Sequence, residues 1–397
     1  MIAVIADDFT GAAEIGGIGL KKGLNVVIET ENIQASDADL LIIATDTRSL
    51  QASEASELIV NITEQLLKFN PTFIFKKVDS VLRGNITEEL IAQMETSHQN
   101  RSVIIAANPV FDRIIRDGVY YIDNIPLAET WFSSDPEYPV RSSLVLEILG
   151  TYDKWPLKSL KSEDELPQHG LIVGDVKDVD DLKKWSHRID DQTLPAGSSG
   201  FFNALLEERH IVGNINCPDI IPFGNKALYI LGGTFPKEID FLKNLEENGH
   251  HLSNIPDEIY YNKNFNPLLL DSWADDLVNS INSYEKVIVS IVHSPSQEPD
   301  IAFRIRENIG ELVKKVLQRI ELNELLIEGG STTKIVLKHL NINKLIPMEE
   351  LDIGVIRMKI DGIPNLCLTT KPGSYFWPDS VWFPSNIPQA SIDNLSQ

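Results

Sequence analysis

The sequence has 397 residues, 43% hydrophobic and 23% charged, the make-up of a globular protein with a full-sized core and too long for one ordinary domain. Its formal charge of −23, from 58 acidic against 35 basic residues, argues against nucleic acid or an anionic membrane as partner, since no global attraction would bring them in. Two cysteines, Cys217 and Cys367, are too few for a disulfide framework or a thiolate metal site. The start, Met1 to Asp8, carries no basic leader, and no run of about twenty apolar residues offers a membrane span, so the expected location is cytoplasmic.

In chain order, Ile2 to Ala6 predicts a strand, followed at once by Asp7-Asp8-Phe9-Thr10-Gly11 and a helix to about Lys22 that Gly23 closes. Val26 to Ile28 and Leu40 to Ala44 predict two more strands, the second ending in Thr45-Asp46-Thr47-Arg48. A helix from about Ser53 to Phe69 precedes the apolar run Thr72 to Phe75. That run feeds Lys76-Lys77-Val78-Asp79-Ser80-Val81-Leu82-Arg83-Gly84-Asn85, a loop crowded with charge, and then a helix. Ser102 to Ala106 predicts a further strand ending in Ala107-Asn108-Pro109.

Strands alternating with helices imply a parallel sheet, so Asp7-Asp8, Asp46 with Arg48, Lys77 to Arg83, and Asn108 fall at one edge of it, where open α/β sheets bind ligands. Each cluster also has a plainer reading: Asp8 caps the next helix, Arg48 pairs with Asp46, and Asn108 is turn chemistry before Pro109. Asp117-Gly118 and Asp123-Asn124 read as turns, and Arg113 and Arg116 read as solvated in preference to binding an anion.

Residues 214–226, with Pro218, Pro222 and Gly224, form the expected linker between a domain at 1–213 and one at 227–397. Beyond it, Ala227 to Leu231 and Gly232-Gly233-Thr234-Phe235-Pro236 predict strand, glycine turn and helix. Lys286 to Val292 and Glu324 to Ile327 predict buried strands, with a long amphipathic helix at about Ile301 to Ile320 between them. Glu328-Gly329-Gly330-Ser331-Thr332-Thr333 then opens a helix, and its glycines and hydroxyls suit a phosphate, although such turns are common. The P-loop and Rossmann fingerprints are both missing. His250-His251 and His293 lack metal-ligand spacing, so no protein-held metal is expected.

Ala6-Asp7-Asp8-Phe9-Thr10-Gly11-Ala12, Asp46-Thr47-Arg48 and the decapeptide Lys76 to Asn85 together resemble the sugar-acid-binding domain of the four-carbon acid sugar kinases. The similarity runs on through Asn108 to Phe111, Asp117-Gly118, Asp123 to Thr130, Asp135-Pro136, Pro139-Val140, Asp175, Asp180 to Leu182 and Ala196 to Gly200. Gly232 to Pro236, Gly329 to Thr332 and Lys371-Pro372-Gly373-Ser374 are similar to the segments with which that family contacts ATP. Three positions depart from the family: Gly233 stands where serine is usual, Ser331 where an acid is usual, and Phe376 where glycine is usual. Phe376 and Trp377 would narrow a nucleotide pocket or stack on a base.

The resemblance implies two α/β domains, each with a mostly parallel sheet flanked by helices, and an active site in the cleft between them. It implies phosphorylation of the terminal hydroxyl of threonate, erythronate or 3-oxo-tetronate by ATP with Mg²⁺. Arg48 and Arg83 would meet the substrate carboxylate, with Lys77 near the transferred phosphoryl or the carboxylate; Asp8 and Asp79 would hold hydroxyls, one of them taking the proton. Asp7, Lys76, Ser80 and Asn108 would complete the sugar-acid site, and Thr234, Gly329, Gly330, Ser331, Thr332 and Gly373 the ATP site. The rival readings are a non-catalytic sugar-acid sensor descended from such a kinase, and a hydroxy-acid lyase or epimerase. A homodimer is compatible with the sequence, and no motif fixes it.

Overall fold

The computed structural model describes the chain except for residues 31–32, 35–36, 136–137, 215–219, 233–235, 292–299, 374 and 383–397, and except for the side chains of 236–240. The chain divides into two compact units, 1–217 with 343–345, and 218–342 with 346–397.

The first unit opens with β1 (Ile2–Ala6), α1 (Phe9–Lys21), β2 (Val26–Glu29), β3 (Leu40–Ala44), α2 (Ala52–Leu67), β4 (Ile74–Lys77), α3 (Ile86–Ser97) and β5 (Arg101–Ile105). A three-stranded antiparallel sheet follows, β6 (Arg113–Arg116), β7 (Val119–Ile122) and β8 (Ile125–Pro126). Then come α4 (Val145–Leu149), β9 (Leu157–Leu160), β10 (Gly170–Gly174), α5 (Val179–Ser186), β11 (Thr193–Gly197) and α6 (Ser199–Glu208). The main sheet of this unit runs β2-β3-β1-β4-β11-β5-β10-β9 with all these neighbours parallel, and Lys344 and Leu345 pair antiparallel with Glu29 and Ile28.

Side-chain alternation assigns the two faces of this sheet. Ala3 and Ile5 of β1 and Leu41 and Ile43 of β3 pack with Ile59, Ile62 and Leu66 of α2 and Ala92 of α3. On the other face Phe75 of β4 meets Phe201 and Phe202 of α6, with ring centroids 6.2 and 5.1 Å away. β1, β3 and β4 are adjacent and parallel, so their C-terminal ends line one edge, with Asp7, Thr45 and Val78 directly beyond them.

The second unit contains β12 (Ala227–Leu231), α7 (Pro236–Glu247), β13 (His251–Asn254), α8 (Asp257–Tyr261), α9 (Pro267–Tyr284), β14 (Lys286–Ser290), α10 (Ile301–Leu317), β15 (Glu324–Glu328) and α11 (Gly330–His339). It ends with the part of β16 (Lys344–Asp352) that follows Leu345, β17 (Val355–Ile360), β18 (Ile363–Lys371) and α12 (Asp379–Trp382). Its strands run β13-β14-β12-β15-β18-β17-β16, parallel as far as β18, with β17 antiparallel to β18. Tyr229, Leu326, Trp377 and Trp382 lie in one buried cluster of this unit. Glu324 and Arg357, both buried, form an ion pair, and Arg357 also donates to the carbonyls of Ile221 and Pro222, which fixes the stretch leading into β12.

Strands β16 and β17 escape the sequence reading because charged residues interrupt them, and β18 because it opens on Pro364 and Asn365; Arg357 is buried only because Glu324 of β15 neutralises it. β6 to β8 escape it for another reason. Their turns are plain, with Asp117 and Gly118 at φ 51 and 73° and Asp123 and Asn124 at 50 and 63°, but the strands between are only two to four residues long.

Candidate functional site

The parallel edge of the first unit gathers Asp7, Asp8, Arg48, Asp79 and Arg83 into one lattice. Arg48, in a short 3-10 turn after β3, donates from Nε and Nη2 to the same Asp7 oxygen at 2.9 and 2.7 Å. Its guanidinium also lies 3.5 Å from Asp8 and 3.3 Å from Asp79. Arg83 forms a two-pronged pair with Asp79, Nε and Nη2 each 2.9 Å from a separate carboxylate oxygen, and reaches Asp135 through Nη1 at 2.8 Å. This is the planar fork geometry that arginine supplies and lysine does not.

The loop that carries Asp79 and Arg83 is bent to do so. Leu82 sits at φ 63° and Gly84 at φ 92°, and a Cβ on Gly84 would stand 2.9 Å from Cγ of Arg48. Asp79 accepts from the backbone N–H of Val81 at 3.3 Å and of Arg83 at 3.1 Å. Asp8 caps α1, accepting from Gly11 N at 2.8 Å and Thr10 Oγ1 at 2.7 Å, so its capping role and its place beside Arg48 coexist.

These surroundings set the charge states. Burial pushes the Asp8 carboxyl up, but Arg48 and Lys77, with the Thr10 and Gly11 hydrogen bonds, hold it below the ordinary value. Burial likewise opposes ionisation of Asp79, and Arg48 and Arg83 overcome it and hold that carboxyl far below the usual range. Both are anionic at neutral pH.

The pleat separates the two lysines of β4. Lys76 shares the face of Ile74 and forms a 2.6 Å ion pair with Glu89 of α3, both side chains being 0–1% exposed, so it is not presented to solvent with the others. Lys77 points to the α1 side, where Nζ donates to the Val78 carbonyl at 3.0 Å and lies 3.9 Å from Glu14. Glu14 accepts from Ser199 Oγ at 2.7 Å, and Asn108 Nδ2 donates to that same hydroxyl at 3.3 Å, which brings Asn108 toward Lys77. Ser80 accepts from Arg113, and its carbonyl accepts from the Tyr120 hydroxyl. In the sequence Glu14 carries no signal and Arg113 reads as solvated in preference to binding an anion, because each reaches the site through a partner far away along the chain.

In the second unit, Gly329 follows β15 at φ 89° with open space where a Cβ would be, and α11 starts at Gly330 behind this N-cap residue, which has no side chain to cap the helix. Thr333 closes the turn by donating to the Gly329 carbonyl at 2.9 Å. Thr332 stands beside Gly232 at the end of β12, and Gly373 also faces open space. An uncapped helix start behind glycine is chemically suited to an anion. Thr234, Gly233 and His293 lie outside the described residues. Phe376 is 78% exposed, while Trp377 is buried with Trp382 and donates toward Glu328 at 3.3 Å, so only Phe376 presents a ring to solvent. His251 stacks on Tyr284 and His250 lies edge-on to Trp382, and no group of ligating side chains suited to a metal occurs among the described residues. Nor is any described helix long and apolar enough to cross a membrane.

Residues 2–205, just over half of the chain, match the family model described as the sugar-binding N-terminal domain. The chain is 30% identical over 243 residues to the D-threonate kinase of Salmonella typhimurium, a match covering 56% of this chain and 57% of that one. It is 30% identical over 159 residues to the D-erythronate kinase of Heliobacterium modesticaldum, 38% of this chain and 36% of that one. Across 86% of the chain and 88% of the relative it is 23% identical to the 3-oxo-tetronate kinase of Haemophilus influenzae. The first two matches thus span 57% and 36% of those relatives' lengths. Among solved structures, a Salmonella typhimurium protein described as a candidate tRNA synthase superposes with a TM-score of 0.79 at 18% identity, covering 97% of this chain and 98% of that one. A Haemophilus influenzae protein from a domain family of unknown function gives 0.69 at 19% identity, covering 95% and 97%. These two likenesses establish the fold, and the match at the sugar-binding domain establishes the lineage: the chain belongs to the four-carbon acid sugar kinase family.

Proposed function

We propose that this protein transfers the γ-phosphoryl group of MgATP to the terminal hydroxyl of a four-carbon sugar acid of the threonate, erythronate or 3-oxo-tetronate type. The observation that carries the reading is the lattice of Asp7, Asp8, Arg48, Asp79 and Arg83 at the edge of a sheet that matches a sugar-binding domain. The names of the related kinases support the acid and the reaction.

In this reaction the hydroxyl oxygen bonds to the γ-phosphorus, the bond to the β–γ bridging oxygen breaks, and ADP leaves. We assign the hydroxyl proton to Asp8, which is ionised and partly open to solvent. Its low basicity is no obstacle, because in a loose transition state the proton departs late, when the attacking oxygen has become acidic. Asp79 is fully engaged by Arg83 and the backbone, so its assigned work is to fix the lattice. Lys77 supplies positive charge near the transferred group, and Asp7, Ser80 and Asn108 line the sugar-acid site. Lys76, locked to Glu89, supports it from behind.

For the nucleotide, the proposed cradle is the amides and hydroxyls of Gly329, Gly330, Ser331 and Thr332 with Gly373, completed by Thr234. The exposed ring of Phe376 is available to stack on a base. Mg²⁺ would neutralise phosphate charge, held chiefly by phosphate oxygens and water. A coupled ADP-release assay over the isomers of threonate, erythronate and 3-oxo-tetronate tests the proposal. ADP release that requires one of these acids is expected; none with any isomer overturns the reading.

A further inference from the structure

We propose that Arg113 is the residue that receives the substrate carboxylate. The inference takes its ligand class from the sugar-acid reading above and goes beyond it in placing the acid end of the molecule.

The reason is how the cations of this site are already engaged. Arg48 lies 2.7, 3.5 and 3.3 Å from Asp7, Asp8 and Asp79, and Arg83 lies 2.9 and 2.8 Å from Asp79 and Asp135. A carboxylate arriving at either arginine meets a charge already balanced and flanking aspartates that repel it. Arg113 differs: among the described residues no carboxylate lies within 4 Å of its guanidinium. In a chain of net charge −23, an arginine without an acidic partner beside the loop that carries Asp79 and Arg83 is a scarce resource for an anion.

Arg113 is also held in place. Its main chain exchanges hydrogen bonds with Asn108, Asn108 N to Arg113 O at 2.8 Å and Arg113 N to Asn108 O at 3.2 Å. Its Nη1 donates to Ser80 Oγ, and the guanidinium lies 6.0 Å from the centre of the Phe132 ring, which also carries Arg83 at 5.2 Å. Behind it, the Tyr120 hydroxyl is bonded to the Ser80 carbonyl. Among the described residues no hydrogen bond uses its Nε or Nη2, so the fork keeps donors for a two-pronged contact with a carboxylate. That places the acid end against Ser80 and Arg113 and sends the hydroxyl end toward Asp8 and Lys77.

The test is calorimetric titration of the full chain with threonate and with threitol, which has the same hydroxyls and no carboxylate, alongside the ADP-release assay. Arg113→Gln keeps most of the side chain over Phe132; it is expected to weaken threonate binding about 10- to 100-fold and leave threitol unchanged. Arg113→Lys, which keeps charge but loses the fork, is expected between the two and serves if the glutamine variant fails to fold. Arg116→Ala, whose guanidinium sits over Tyr121 at 4.9 Å, is expected to bind both like wild type. Wild-type threonate affinity in either Arg113 variant overturns the inference and leaves the kinase reading standing. Threonate binding without ADP release sinks the kinase reading while the variants still decide on Arg113. A wild-type protein that binds no four-carbon acid overturns both.

Discussion

Arg48 gives two of its N–H groups to a single oxygen of Asp7, at 2.9 and 2.7 Å, while the other Asp7 oxygen is buried with no hydrogen-bond partner among the described residues. The pair joins the end of β1 to the end of β3 and is the keystone of the charge lattice. Arg48→Ala leaves buried Asp7 and Asp79 without their shared cation, and breaking such a pair from one side costs about 3–5 kcal/mol. Urea unfolding is expected to show that loss, with Arg48→Lys recovering part of it. An alanine variant as stable as wild type would show that the lattice contributes nothing to the fold.

Stability should depend on pH through Asp8 and Asp79. Both carboxyls are depressed in the folded state, so their contribution is fully present above the unfolded value of about 3.9 and is lost as pH falls from there toward the folded values. The urea midpoint is therefore expected to decline steeply below about pH 4, and Asp8→Asn to flatten part of that decline. The same depression means that Asp8 stays ionised between about pH 5 and 8, so kcat/KM should show no Asp8 titration there. An acid limb near about pH 6 that disappears in Asp8→Asn would contradict the depressed carboxyl.

Much of this arrangement was legible in the sequence, for a physical reason. Short apolar strands ending in charge, alternating with helices, force a parallel sheet whose C-terminal ends share an edge, and that alone brings Asp7, Arg48 and Asp79 together. Turn chemistry was equally direct at Asp117-Gly118 and Asp123-Asn124. What stayed hidden depends on partners far along the chain. Adjacent Lys76 and Lys77 read alike until the pleat sends one to Glu89 and the other to the side of Glu14. Arg113 reads as a solvated arginine until β6 lays it against Ser80, 33 positions earlier.

The Lys76–Glu89 pair separates a binding role from a supporting one. Burial raises the Glu89 carboxyl, with Lys76 opposing, so deleting Lys76 alone strands an acid in the core. Lys76→Met is expected to destabilise the protein by about 3–5 kcal/mol, whereas Lys76→Met with Glu89→Leu, which removes both charges, should restore most of it. If Lys76 only supports the site, the double variant keeps sugar-acid binding within about threefold of wild type. A stable double variant that no longer binds the acid would return Lys76 to the binding set.

Gly329 offers the sharpest test of the second unit. At φ 89° and ψ 136° it occupies a conformation that costs a residue with a side chain about 1–3 kcal/mol, although nothing stands within 4 Å of where its Cβ would be. Gly329→Ala should therefore act through the backbone, turning the first amides of α11 away from their present direction. Gly362, at φ 79° in the turn between β17 and β18 and equally unobstructed, is the control, a glycine at positive φ away from that turn. Both alanine variants should unfold more easily by about 1–3 kcal/mol, but only Gly329→Ala should abolish the rise in Tm expected from MgADP under the proposed function. The rise expected from the sugar acid should survive in both, because the residues proposed to bind it lie in the first unit. Equal MgADP stabilisation in the two variants would remove the Gly329 turn from the nucleotide site.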